Sequence, residues 1–263
     1  MVRDPAPAAD DGLDAEAWGP GADWLLARVD ALTGSDDAAI ELAAPAEADA
    51  PVVNALRAAR TARIGASGTL YHELLPTIIA QRITTREALR QWSRLVDRLG
   101  APAPGPVHVT SDLRLPPDPA TLYGRPSWWF HPLGIEERRA RTLTEVARHH
   151  DKLFAWTDAT SNPACDAVAA LLALIPGVGP WTVGSVLGPA LGDADAVPVG
   201  DYHLPNIVAW ALAREPRADD ERMLELLGPY AGQRGRVVRA VVHASGPAPK
   251  YGPRQRILPI ARW

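Results

Sequence analysis

Apolar residues along this chain recur with a helical period and scarcely ever alternate. "DWLLARVDALT" (23–33) reads as a short amphipathic helix halted by Gly34, and after a Pro/Ala linker over 43–51 a basic helix is expected from about Val52 to Arg63. "LYHELLPTIIAQRI", from Leu70, is apolar nearly all round, which is the pattern of a buried helix. "TTREALRQWSRLVDRLG" follows; it opens in a cap-like stretch with Thr85 two residues before Glu87 and stops at Gly100. Residues 101–127 are Pro-rich and read as irregular, with "VHVTSDLRL" (107–115) as a weak strand-like exception. "IEERRARTLTEVARHHDKLFAW" (135–156) and "PACDAVAALLALI" (163–175) read as helices. More are expected over 181–191, about 203–213, 219–228 and 235–244, separated by Gly and Pro. The pattern predicts an all-α protein.

The length of 263 residues suits one large domain or two small ones. The expected organisation is a disordered acidic front end over 1–20, a helical segment over 21–64 packed on the core, a first helical lobe over 65–165, and a second over 166–263 ending in a basic tail. Hydrophobic residues make up 47% of the chain, enough for a substantial core, yet no apolar run approaches the ~20 residues of a membrane span. The start, Met-Val-Arg-Asp-Pro-Ala-Pro, lacks an apolar signal core, and Cys165 stands alone, so a cytoplasmic protein without disulfides, a multi-cysteine zinc site or an iron–sulfur cluster is expected.

Charge changes the picture. The net −4 conceals an asymmetry: residues 1–50 hold twelve acids and two bases, which leaves 25 bases and 19 acids, a balance of +6, for the remainder. From Ala231 onward there are seven bases and no acid. A basic body behind an acidic front end is compatible with phosphate binding. Arg82, Arg86, Arg90, Arg94 and Arg98 recur every fourth residue, drifting about 40° around a helix per step. Such a stripe reads either as a solvated helix face or as a phosphate-facing one. Only Lys152 and Lys250 supply amines.

The chemistry concentrates in "LIPGVGPWTVGSVLGPALGDADAVPVGDYHL" (174–204). A helix must end before Pro176; Gly177 and Gly179 permit positive φ and close backbone approach, and Trp181-Thr182 opens the next helix. Unpaired backbone N–H groups beside a helix N-terminus favour an anionic oxygen, typically a phosphate. Twenty-two residues after Gly179 comes Asp201, behind the sharp turn allowed by Gly200 and after an apolar Val-Pro-Val run. Asp201 reads as a helix cap, as a rigidly held reactive carboxylate, or as both. Trp181 reads equally as core or as a base-pocket floor. Trp128 and Trp129, in "RPSWWFHP", read as packing residues or cleft lining, and His203 as a DNA-facing or capped histidine or a proton carrier.

"LIPGVGPWT" followed by "VPVGDYHL" resembles the helix-hairpin-helix DNA glycosylase superfamily, and within it the bacterial alkylbase glycosylases, the 3-methyladenine DNA glycosylases of the inducible type. "LLPTIIAQRIT", "WGPGADWLLARVDAL" and "YGPRQRILPIAR" extend the likeness over most of the chain from about Trp18. The resemblance implies a two-lobed helical fold with an active-site cleft between lobes, and Asp201 as the catalytic aspartate. It implies that Gly177, Val178, Gly179 and Thr182 meet a phosphate, joined on the DNA side by Gln81, Arg82 and His203. The carbonyls of Ala173, Ile175 and Val178 fall where family members hold a monovalent or calcium ion; no other cofactor is implied. Trp181 and Ser185 fall at base-pocket positions, Trp128 and Trp129 being further candidates. Arg82 stands where the typical wedge is apolar, Ser185 where a pocket aromatic is typical, and a second pocket tryptophan near the C-terminus has no match. Members that also cut the strand carry a lysine where this chain has Trp181. The implied function is that of a monomeric, monofunctional enzyme of base excision repair. Its partner is double-stranded DNA containing a damaged base, and it removes alkylated purines such as 3-methyladenine and 7-methylguanine. The alternatives are deaminated or oxidised purines as substrates, or a non-catalytic DNA-binding module in which Asp201 only caps.

Overall fold

The computed structural model describes residues 13–38, 40–157 and 164–245. The front end up to residue 12 and the basic tail from residue 246 lie outside the described residues. Helices account for the ordered elements, in the order α1 (Ala22–Leu26), α2 (Val29–Thr33), α3 (Ala50–Ala59), α4 (Leu70–Ala80), α5 (Thr85–Leu99), α6 (Val107–Thr110) and α7 (Pro119–Leu122), then a 3₁₀ helix at Ser127–Leu133. After it come α8 (Glu137–Arg148), α9 (His150–Ala155), α10 (Cys165–Leu172), α11 (Pro180–Leu191), α12 (Leu204–Ala213), α13 (Asp220–Leu227) and α14 (Arg234–Ala244), with a 3₁₀ turn at Gly228–Tyr230 between the last two. Among the described residues no helix is long and apolar enough to cross a membrane.

Local chemistry explains where the elements depart from expectation. The helix expected over 23–33 breaks into α1 and α2 around Arg28, whose guanidinium lies over the Trp24 ring and also donates to the Thr157 carbonyl at 3.1 Å. α3 starts earlier than expected because Asp49 accepts the Val52 N–H and Pro51 sits in the first turn, where its missing N–H costs nothing. The cap of α5 is Thr84, one residue before the expected Thr85; its hydroxyl accepts the Glu87 N–H. The 107–115 stretch is not a strand. Val107–Thr110 makes one helical turn behind Pro106, and all that remains of strand pairing is an isolated bridge between Pro102 and Arg114. Proline on both sides withholds the donors a ladder needs. The 135–156 helix breaks at His149 into α8 and α9.

Two apolar clusters form the core. The first gathers α4, α5, α8, α10 and α11 around Leu74, Leu75, Ile78, Ile79, Phe130, Leu143 and Val186, all fully buried. The second gathers α3, α12, α13 and α14 around Val52, Leu56, Val208, Met223, Val237 and Val241. The boundary expected at residue 165 therefore falls inside the first cluster, since Val168, Leu172 and Val186 pack there. α11 belongs with α4, its main packing partner.

The segment 194–200 runs from α11 toward α12, and it passes between two glycines. A Cβ on Gly184 of α11 would overlap the Val197 carbonyl, and one on Gly235 of α14 would overlap the Ala196 carbonyl. Gly184 lies inside α11, where glycine is unfavourable by about 1 kcal/mol against alanine and needs a packing reason; Gly235 lies in the first turn of α14. Here the reason is backbone-to-backbone approach. The Arg236 N–H donates to the Ala194 carbonyl at 2.9 Å, and the Val199 N–H reaches back to the Val197 carbonyl at 2.9 Å in a three-residue turn centred on Pro198. Gly184→Ala should therefore lower unfolding free energy by about 1–3 kcal/mol in urea titration, since the obstacle is a carbonyl and not a movable side-chain tip.

Candidate active site

The hairpin between α10 and α11 is built around a tight turn. The Ile175 carbonyl accepts the Val178 N–H at 3.0 Å, with Pro176 and Gly177 as central residues and Gly177 at φ +89°. Proline then glycine is the signature of a type II turn, whose third position needs positive φ. Gly177 is demanded twice, because a Cβ there would also overlap the hydroxyl of buried Thr142. Gly179 differs: its φ is −113°, and an added Cβ would meet nothing within 4 Å. Neither conformation nor internal packing requires glycine at this point, and the space outside it is open. Pro180 takes the first helical position, so the first turn of α11 leaves backbone N–H groups unpaired.

Gln81 braces this hairpin from α4. Its amide donates to the Gly177 carbonyl at 3.0 Å and to the Thr182 hydroxyl at 2.9 Å. Behind it the buried Arg139 of α8 donates to the Ile79 carbonyl and to Gln91 Oε1, fixing the last turn of α4. Arg82 follows in the left-handed region at φ 60° with its side chain exposed. A non-glycine residue there carries a conformational cost of order 1 kcal/mol.

Asp201 is half-buried, with exposed Gly200, Tyr202 and His203 around it. Oδ1 accepts the backbone N–H of His203 at 2.8 Å and of Leu204 at 2.9 Å; Oδ2 accepts the Trp181 indole N–H at 3.0 Å. The carboxylate thus covers the open end of α12 while it is tied to the first turn of α11. This hydrogen bond joins the two core clusters. The Asp220 carboxylate accepts the Gly200 N–H at 3.1 Å and steadies the turn just before Asp201.

The other expected residues divide. Trp181 is half-buried and spends its N–H on Asp201; Ser185, one turn on, is half-buried and donates its hydroxyl to the Trp181 carbonyl at 2.7 Å. His203 is exposed and meets the Tyr202 ring edge-on at 4.8 Å. Trp128 and Trp129 are not brought to Asp201. They line a cavity with Arg94, Asp97, Arg98 and Leu133, and Asp201, Trp181 and Ser185 are not among its lining residues. The Ile175 carbonyl accepts the Val178 N–H, and among the described residues no backbone hydrogen bond is made to the Ala173 or Val178 carbonyl. Sequence reasoning missed Gly184 and Gly235, for which an isolated glycine inside a helical pattern was the available signal, and Tyr202, which is 84% exposed.

A second cavity, about 720 Å³, lies between α10, α11 and the 193–199 segment, and Val178, Gly179 and Pro180 of the hairpin also line it. Asp195 lines it and holds Arg234, accepting its backbone N–H and its Nε, each at 2.9 Å. Burial pushes the Asp195 carboxyl up, but the Arg234 side-chain and backbone hydrogen bonds and its charge outweigh burial and hold it below the ordinary 3.8. A carboxylate with a lowered folded pKa contributes stability that is present above its unfolded value and lost as pH falls through the folded one. The stability difference between wild type and Asp195→Asn should therefore be constant above about pH 5 and shrink below about pH 4, in urea titrations across pH.

No family model and no curated protein sequence matches the chain. Solved structures do. It is similar to the 3-methyladenine DNA glycosylase of Archaeoglobus fulgidus, with TM-score 0.59 and 19% identity over 72% of this chain and 64% of that one. It is similar to the 8-oxoguanine glycosylase/lyase of Clostridium acetobutylicum, with TM-score 0.59 and 13% identity over 75% of this chain and 66% of that one. A third is the 3-methyladenine DNA glycosylase of Schizosaccharomyces pombe in complex with abasic DNA, with TM-score 0.54 and 17% identity over 67% and 80% of the two chains. The match thus spans under two thirds of the length of the first two. Its fold is the helical fold of these DNA glycosylases.

Proposed function

We propose that the chain is a monofunctional DNA glycosylase that hydrolyses the N-glycosidic bond of alkylated purines, 3-methyladenine and 7-methylguanine among them. The observation that carries this reading is the fixing of Asp201 by three hydrogen-bond donors beside the hairpin helix. An ionised carboxyl group offers about four lone-pair sites, so one, on Oδ2, remains for a sugar or water. A carboxylate tied only to cap a helix has no need of an indole from α11, a helix of the other core cluster.

The amides at Gly177 and Gly179 and the first turn of α11 bind a phosphate of the damaged strand, and the open face at Gly179 admits close approach. A cation on the Ala173, Ile175 and Val178 carbonyls, when bound, adds positive charge beside that phosphate. Thr182 and Gln81 keep the hairpin in shape, and His203 lies on the same DNA side. The damaged nucleotide turns out of the duplex at a cost of a few kcal/mol. Arg82, held outward by its backbone, fills the vacated stack.

The C1′–N bond then breaks with its electron pair leaving on the base, and positive charge develops on the sugar. The Asp201 carboxylate stabilises that charge electrostatically and accepts a proton from the water that adds to C1′. A base already cationic through alkylation leaves without an acid and is attracted to the face of Trp181. Ser185 in place of a large side chain leaves room beside it. Trp181 also stands where a Schiff-base lysine would, and Lys152 lies on α9, outside the hairpin. One chain carries both hairpin and carboxylate, so a monomer acting on double-stranded DNA suffices.

Wild type should release methylated purines from alkylated duplex DNA, and Asp201→Asn should lose at least about a hundredfold in rate while keeping or gaining duplex affinity, since it removes a negative charge near phosphates. Borohydride should trap no covalent protein–DNA adduct with either form. Equal base release by the variant, or a trapped adduct, contradicts the proposal; product analysis on deaminated and oxidised purines distinguishes a change of substrate.

A further inference from the structure

The arginine stripe beyond Arg82 and the Trp128 cavity play no part in that chemistry, and they meet. Arg86, Arg90, Arg94 and Arg98 are all exposed along α5. Among the described residues Arg86, Arg94 and Arg98 make no ion pair, and Arg90 has only a long one, 3.8 Å, to Glu87. The helix begins just after Gln81 and Arg82 at the hairpin, and from Arg86 to Arg98 it runs about 18 Å. At its far end Arg94 and Arg98 line a cavity of about 620 Å³ with Asp97, Trp128, Trp129 and Leu133.

The two tryptophans differ in what they are already doing. Trp129 is half-buried, covered by the Arg125 guanidinium at 4.2 Å and edge-packed on the fully buried Phe130, so it anchors the 3₁₀ helix. Trp128, its neighbour, is 72% exposed. An indole left in water beside two unpaired guanidiniums suits a planar ring joined to anions. Each base of a nucleic-acid strand is such a unit, and base–aromatic stacking with cation contacts is how unpaired strands are held without regard to sequence.

We propose that this end of α5 binds an unpaired nucleic-acid strand, with a base stacked on Trp128 and flanking phosphates on Arg94 and Arg98, while Arg90 and Arg86 lead the strand toward the hairpin. A duplex keeps both faces of every base covered, so it has nothing to offer the indole. The guanidiniums recur about every 6 Å along the helix axis and wind about 40° per step, a track that a flexible strand follows and a straight duplex does not. The site goes beyond the glycosylase reading and makes no use of Asp201.

The test is fluorescence anisotropy with labelled dT12 and with an undamaged duplex of equal length, each titrated with the full chain. Trp128→Ala should weaken dT12 binding at least about tenfold and leave duplex binding within about twofold. The double variant Arg94→Ala/Arg98→Ala should weaken dT12 similarly and flatten its logarithmic salt dependence by about 1.4, two contacts at about 0.7 each for a single strand. Both substitutions are on the surface, and circular dichroism checks that the fold is kept. Unchanged dT12 binding in either variant, equal loss for dT12 and duplex, or displacement of dT12 by poly-glutamate as readily as by unlabelled dT12 overturns the proposal, the last assigning the groove to an acidic peptide. Loss of base release in Asp201→Asn is read separately, so this site and the glycosylase reading fail independently.

Discussion

Between Ala194 and Gly200 the backbone threads a slot whose two walls are glycines of different helices, Gly184 on α11 and Gly235 on α14. Close approach of this kind is only open where both walls lack a Cβ, and it fixes the chain far more tightly than side-chain packing would, because carbonyls and helices cannot hop between rotamers. The slot is closed by polar ties at each end: Asp195 on Arg234 at its start, and Asp220 on the Gly200 N–H at its finish. What emerges from it is Asp201. The position of that carboxylate is thus set by the packing of two helices that belong to different apolar clusters, and neither cluster alone determines it.

The hairpin is fixed from a different direction. Arg139 holds the end of α4, α4 delivers Gln81, and Gln81 ties down both the Gly177 carbonyl and Thr182. Trp181 stands where the two systems meet, on the helix that the hairpin opens and with its N–H on the carboxylate that the slot delivers. A displacement of either system lengthens the same hydrogen bond. For the proposed reaction this amounts to preorganisation: the charge is held by dipoles already oriented, so little would reorganise as positive charge developed opposite it.

Much of this was legible in the residues, and for stated reasons. Apolar residues at helical period located α4, α5, α8 and α10 through α14, because those helices bury one face or all of it. The Pro-Gly-Val-Gly turn and the Gly-Asp before a helix were legible because only a few residues satisfy such backbones. Long-range contacts were not. Nothing local in "AQR" says that Gln81 reaches residues almost a hundred positions away, or that Arg139 is the buried arginine among its neighbours Arg138 and Arg141. Trp128 and Trp129 were attractive as pocket residues by type alone, and type does not say which cavity they line. The short 3₁₀ helix bearing them escaped notice because prolines at 126 and 132 resemble loop punctuation.

The central claim is electrostatic: one fixed carboxylate faces a sugar that becomes positively charged. Duplexes carrying, at one position, either a cationic pyrrolidine or a neutral tetrahydrofuran in place of the nucleoside sugar separate this charge from shape. The ratio of their affinities for wild type and for Asp201→Asn measures it directly. Wild type should prefer the cation by about tenfold or more, the scale of a charge-assisted contact, and the variant should bind the two alike. The same preference in both proteins, or none in wild type, would contradict the account.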